Sequence, residues 1–118
     1  MDHILLIDDE DAILDSISRV LTYLGYHVKV AHDGAEGIKL FKRGDGFDCV
    51  ITGISMPKVD GNQVAEFIRN SDKADMPVVA MTGSGEDAVH KGLFNFALTK
   101  PFKMKYLLEV IRALTKNN

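Results

Sequence analysis

Three consecutive acids, Asp8, Asp9 and Glu10, close the apolar run HILLI. Adjacent carboxylates repel one another unless a cation or proton neutralises them. An all-oxygen set of this kind suits Mg2+, which keeps several waters and takes few protein ligands. Polar residues close other apolar runs in the same way: Thr52 and Gly53, then Thr82, Gly83 and Ser84, then Thr99, Lys100 and Pro101. A lysine facing the same point as the acids would suit a phosphoryl group. Each feature also has a plainer reading. Acids ahead of an apolar helix favour its positive N-terminal end, Thr82 can simply end a strand, and Lys100 before Pro101 can be a solvated lysine at a turn. Only convergence of these residues would make a site. Other motifs add little. TGSGE is glycine-rich but lacks the lysine-serine or lysine-threonine ending of a phosphate-binding loop. His3, His27, His32 and His90 are scattered without metal-ligand spacing. The single cysteine, Cys49 in FDCVIT, excludes an internal disulfide and reads as inert and buried.

Convergence depends on the elements. Short β-branched or apolar runs alternate with longer segments of helical period, the pattern of a parallel sheet covered by helices on both faces. The strand candidates are HILLI, HVKVA, CVIT, PVVAM and FNFALT. Ile13, Ile17, Val20, Leu21 and Leu24 predict a helix over 10–24, closed by Gly25. Ala35, Ile38 and Phe41 mark a second helix, and Val64, Phe67 and Ile68 a third. A weaker, shorter one is expected over 85–93, and Leu107, Val110, Ile111 and Leu114 mark the last. Lys116, Asn117 and Asn118 read as a frayed end. In such an α/β sheet the ligand site lies outside the carboxyl ends of the strands, where these polar residues fall. With 118 residues and 46% hydrophobic content the chain reads as one domain over 1–118. A net charge of −3 offers no basic footprint for nucleic acid and no cationic face for a membrane. Strand-sized apolar runs, and an N-terminus without a signal-peptide core, point to a cytoplasmic location.

LLIDDE, ITGISMPKVDG, VVAMTG and LTKPF, in this order and over the whole chain, resemble the receiver domain of a two-component response regulator. The resemblance implies a flavodoxin-like fold of strand order 2-1-3-4-5. It implies that Asp8 and Asp9 hold Mg2+, with the Ser55 carbonyl completing the protein ligands. Thr82 corresponds to the hydroxyl that turns toward a phosphoryl group, Lys100 to the lysine that pairs with it, and Pro101 to the proline that usually follows through a cis bond. A histidine kinase or phosphotransfer protein would supply phosphate. A downstream protein would read the face made by the fourth helix, fifth strand and last helix.

Two departures stand out. The family places its phosphate-accepting aspartate three residues before the methionine of a Met-Pro pair, and Met56 and Pro57 put that position at Gly53. Glycine can neither form an acyl phosphate nor bind the ion. Asp48 lies before the strand's core and Asp60 in the following turn, so neither is an obvious substitute. Second, the stretch from Thr82 to Lys100 is about one helical turn shorter than the family usually shows, which shortens the fourth helix. The switch aromatic of the family is replaced by Ala97, and the neighbouring Phe94 and Phe96 are expected in the core. The chain thus reads as a non-enzymatic receiver that cannot be phosphorylated at the usual site. The alternative is an interaction module independent of phosphate. An enzyme reading rests on a faint likeness of IDDEDAI to haloacid-dehalogenase-like phosphohydrolases, whose further acidic motif and cap this chain lacks.

Overall fold

The apolar runs form five short strands: His3–Ile7 (β1), His27–Ala31 (β2), Cys49–Gly53 (β3), Val78–Thr82 (β4) and Phe96–Thr99 (β5). They pair in parallel as one sheet of order β2-β1-β3-β4-β5, the flavodoxin-like order. This computed structural model describes residues 2–83 and 85–115; Ser84 and the expected frayed end at Lys116, Asn117 and Asn118 lie outside the described residues. β3 and β4 are buried along their whole length and β1 along all but His3, as strands covered on both faces must be.

Side chains alternate along each strand, so the core falls into two layers. Ile4, Leu6, Ile51, Val79 and Met81 face the helices Asp11–Tyr23 (α1) and Met104–Thr115 (α4). Leu5, Ile7, Val50 and Val78 face Gly34–Lys42 (α2) and Gly61–Arg69 (α3). α1 stops where Gly25 takes φ 101°, a left-handed conformation that other residues adopt at a cost. α3 begins with a capping box in which the Asp60 carboxylate accepts from the Gln63 backbone while the Gln63 side chain accepts from the Asp60 N–H.

The fourth crossover is shorter still than the sequence predicts. In place of a helix over 85–93 there is one three-residue 3-10 turn, Glu86–Ala88. Side chains from α3 tie this segment down. Asn62, itself buried, donates to the Ala88 carbonyl and accepts from the His90 N–H, both at 2.9 Å. Arg69 donates to the carbonyls of Ala74, Met76 and Leu93 and to the Asn95 side chain. Phe94 packs half-buried against the α2/α3 layer, but Phe96 is 47% exposed, against the expectation that it belongs to the core. β5 is an edge strand, and among the described residues α4 packs chiefly over β3, which leaves Phe96 at the open margin of the sheet.

Candidate functional site

All five strands run the same way, which gathers their carboxyl ends on one edge of the sheet. Register then selects the neighbours. β1 and β3 pair Ile7 with Thr52, setting Asp8 beside Gly53, and β4 and β5 pair Thr82 with Thr99. The Lys100 N–H continues this last ladder, donating to the Thr82 carbonyl at 2.8 Å.

Asp8 is fully buried, and its own N–H extends the β1/β2 ladder to the Ala31 carbonyl. A carboxylate withdrawn from water needs compensation, and this one receives it from two directions. Oδ1 accepts from the Glu10 N–H at 2.9 Å, and Oδ2 accepts from Lys100 Nζ at 3.1 Å. The same ammonium reaches Glu10 Oε1 at 2.9 Å, so one cation bridges a buried and an exposed acid. Burial pushes the Lys100 pKa down, but the hydrogen bonds and charges of Glu10 and Asp8 outweigh it, and the net shift is upward.

Gly53 explains how Asp8 reaches this position. A Cβ built on Gly53 would lie 2.6 Å from Asp8 Oδ2 and 3.1 Å from its Cγ. The Asp8 carboxylate therefore occupies space that any side chain at 53 would require. Nearby, Thr82 is buried and its hydroxyl donates to the Gly85 carbonyl at 3.0 Å. Asp9 is exposed, as is Ser55 in the turn after β3. Farther along that turn Lys58 takes φ 68°, while the Val59 N–H donates to the Pro57 carbonyl at 2.8 Å, a tight three-residue turn. The Lys100–Pro101 peptide bond is cis.

Ala97 lies apart from this cluster, in β5, paired with Ala80. It lines a recess of about 180 Å3 with Val89, His90, Phe94 and Phe96. The other acids near β3 are committed elsewhere. Asp48 precedes the opposite end of that strand and accepts from the His3 N–H, and Asp60 caps α3. Glu10 is the member of the cluster that the sequence reading named in the acidic run but gave no role in the site. Its signal was only its place as the third acid of the run.

The family model of the response regulator receiver domain matches residues 4–112. The chain belongs to this family. Response regulator MprA of Mycobacterium leprae is 35% identical over 96% of the chain, and the chain spans about half (50%) of that relative's length. Among solved structures, the Thermotoga maritima response regulator TrrA in complex with Mg2+ and BeF is 30% identical; it matches with a TM-score of 0.88 over 97% of this receiver and 99% of that chain. The receiver domain of a Pseudomonas aeruginosa sensor histidine kinase, with a magnesium ion coordinated in its active-site cleft, is 25% identical, with a TM-score of 0.88 over 98% of each chain. The receiver fold thus extends over this chain, with the acidic run of β1, the hydroxyl of β4 and the lysine after β5 on one edge.

Proposed function

We propose that this is a receiver domain whose phosphoacceptor position is Gly53, so that it is not phosphorylated at the usual site. It would act through protein contacts that need no phosphate. The observation that carries the reading is the Asp8 carboxylate lying in the space of a side chain at 53, held there by Lys100. The residues assigned to a phosphoryl pocket, Thr82 and Lys100, are engaged within the chain: Thr82 to the Gly85 carbonyl, Lys100 to two acids. No acid near β3 takes over as nucleophile, and we assign the domain no turnover of its own.

Asp8, Asp9 and the Ser55 carbonyl are the assigned Mg2+ ligands, but as arranged they suit the ion poorly. One carboxylate is tied at both oxygens, the other is exposed, and position 53 supplies no third. Among the described residues no group of three or more His, Cys, Asp and Glu side chains could hold an ion. Weak Mg2+ binding at most is the consequence.

In a phosphorylatable parent the partner at this edge would be a histidine kinase or phosphotransfer protein. A downstream protein would meet the face made by the Glu86–Ala88 turn, β5 and α4, which carries the exposed aromatics Phe96 and Tyr106. We place the domain in the cytoplasm, as a protein that binds neither nucleic acid nor membrane by itself. Its charge of −3 supports this, as does the lack, among the described residues, of a helix long and apolar enough to cross a membrane.

Incubation with acetyl phosphate and Mg2+, followed by intact-mass measurement, tests the proposal. The protein should gain no phosphoryl group, whereas Gly53→Asp should gain one. A phosphate on Asp8, Asp9 or Asp60 of the unsubstituted protein would refute it.

A further inference from the structure

The histidines are scattered in sequence, but the β1/β2 register sets two of them side by side. His3 opens β1, His27 opens β2, and the two are direct partners in the ladder. Both are exposed, and their rings stack with centroids 4.7 Å apart and 16° between the planes. Backbone bonds fix both positions. The His27 N–H donates to the Asp2 carbonyl at 3.0 Å, and the His3 N–H donates to Asp48 Oδ2 at 2.8 Å while its carbonyl accepts from the Asp48 N–H at 2.7 Å. Beside the rings lies a recess of about 400 Å3 that Thr22, Tyr26 and Lys29 also line. We propose that His3 and His27 form a two-imidazole chelate for a late divalent transition cation of the Cu2+, Ni2+ and Zn2+ class, at the edge of the sheet opposite the acidic pocket.

This site does not rest on the proposed function, since the pair lies at the opposite end of β1 from Asp8. Imidazole nitrogen prefers late divalent transition ions, with Cu2+ held most tightly in the series, whereas Mg2+ keeps to oxygen. Two nitrogens on one ion, each about 2.0 to 2.1 Å from it, lie at most about 4.2 Å apart. The stacked rings already stand near this separation. Each lone pair lies in the plane of its ring, so chelation asks the two planes to converge by rotation about side-chain bonds. The strands need not move. Among the described residues no third His, Cys, Asp or Glu completes a ligand group, so waters fill the remaining positions, for which the recess leaves room. The Asp48 carboxylate at the His3 N–H adds negative charge beside the pair. Lys29 opposes it, but this lysine is exposed and its long stem can carry the ammonium into solvent. An ion held here would tie β1 to β2 at the amino edge of the sheet.

The test is titration of the protein, carrying no polyhistidine tag, with Zn2+, read from the ring C–H proton signals of its histidines. Those of His3 and His27 should shift together with one midpoint, at a Zn2+ concentration at least about tenfold below the one that moves the exposed His90, because the second nitrogen binds at the high effective concentration set by the first. Mg2+ in excess should leave both unmoved. His27→Gln should weaken binding at the His3 ring by about tenfold, and His3→Gln should weaken binding at the His27 ring by the same factor, since coupling through a shared ion is reciprocal. His90→Gln should keep the joint midpoint within about twofold of the parent, as expected for an independent site. Separate midpoints for His3 and His27 overturn the proposal, as does an unchanged midpoint at His3 in a folded His27→Gln. If neither variant folds, the joint midpoint in the unsubstituted protein decides.

Discussion

A hydrogen in place of a side chain at residue 53 leaves room that the Asp8 carboxylate fills, and Lys100 pairs with that carboxylate there. Glycine in a strand interior costs about 0.5 to 1 kcal/mol relative to alanine. Here the gain from relieving a cluster of like charges opposes that cost, because Asp8 needs to share the pocket with no second buried carboxylate. Cys49, at the other end of β3, shows the same physics in a thiol. Burial pushes its pKa up to about 12, with the charges of Asp48 and Asp2 adding to the effect. An unfolded thiol titrates near 9.0, so between these values the unfolded chain has released a proton that the native chain still holds. Stability therefore falls as pH rises through this window, by at most about 1.4 kcal/mol per pH unit. Native protein at pH 9 should resist thiol labelling and react at once when urea is added. Rapid labelling without urea would show that the thiol is not shielded as its burial implies.

At the scale of elements, the fourth crossover asks how a receiver holds its sheet together when a covering helix is reduced to one turn. Two side chains of α3 provide the answer. Asn62 bonds both the Ala88 carbonyl and the His90 N–H, while the Arg69 guanidinium fans out to three carbonyls and Asn95, which in turn accepts from the Val78 N–H that opens β4. A guanidinium satisfies several acceptors at fixed angles, which an ammonium cannot do. Arg69→Lys should cost about 2 to 3 kcal/mol in urea denaturation, with the carbonyls of Ala74, Met76 and Leu93 left short of donors. Asn62→Leu should release the 3-10 turn locally, read as faster hydrogen exchange at residues 88–93 with smaller changes in β1 and β3. Equal exchange in the parent and Asn62→Leu would show that the turn is held by its own backbone.

Across the whole molecule the pocket and the distal face are joined through β4 and β5. In receivers of the usual pattern the threonine moves toward the phosphoryl group and an aromatic ring then fills the space, so two packings interconvert. A ligand shifts such a balance only through differential contacts. Ala97 has no ring to move, and Asn62 and Arg69 anchor the segment beside it. Phosphorylated Gly53→Asp should therefore show large amide shifts near residues 8, 53, 82 and 100 and small ones over 88–108. The recess of about 180 Å3 that Ala97 lines leaves room for a ring, so adding Ala97→Tyr should enlarge the distal shifts. Distal changes as large as those of the pocket in Gly53→Asp alone would show that coupling runs by another route.

The fold class and the order of elements were legible because periodicity is local. The continuous apolar run HILLI marks a strand covered on both faces, and the three-and-four spacing of Ile13, Ile17, Val20 and Leu21 states which face of α1 is buried whatever lies opposite. The candidate site was legible for a related reason: parallel strands bring their carboxyl ends to one edge, so polar residues there meet even before the register is known. Tertiary structure alone decided the partners. That Asp8 leans into the space at 53, that Glu10 shares Lys100, and that Asn62 and Arg69 hold the short crossover follow from contacts between residues far apart in sequence. Phe96 gives the complementary case. Its place in a strand was readable, but its exposure depends on β5 lying at the edge of the sheet and on what the rest of the chain packs there, because burial belongs to the packed neighbours and not to the residue.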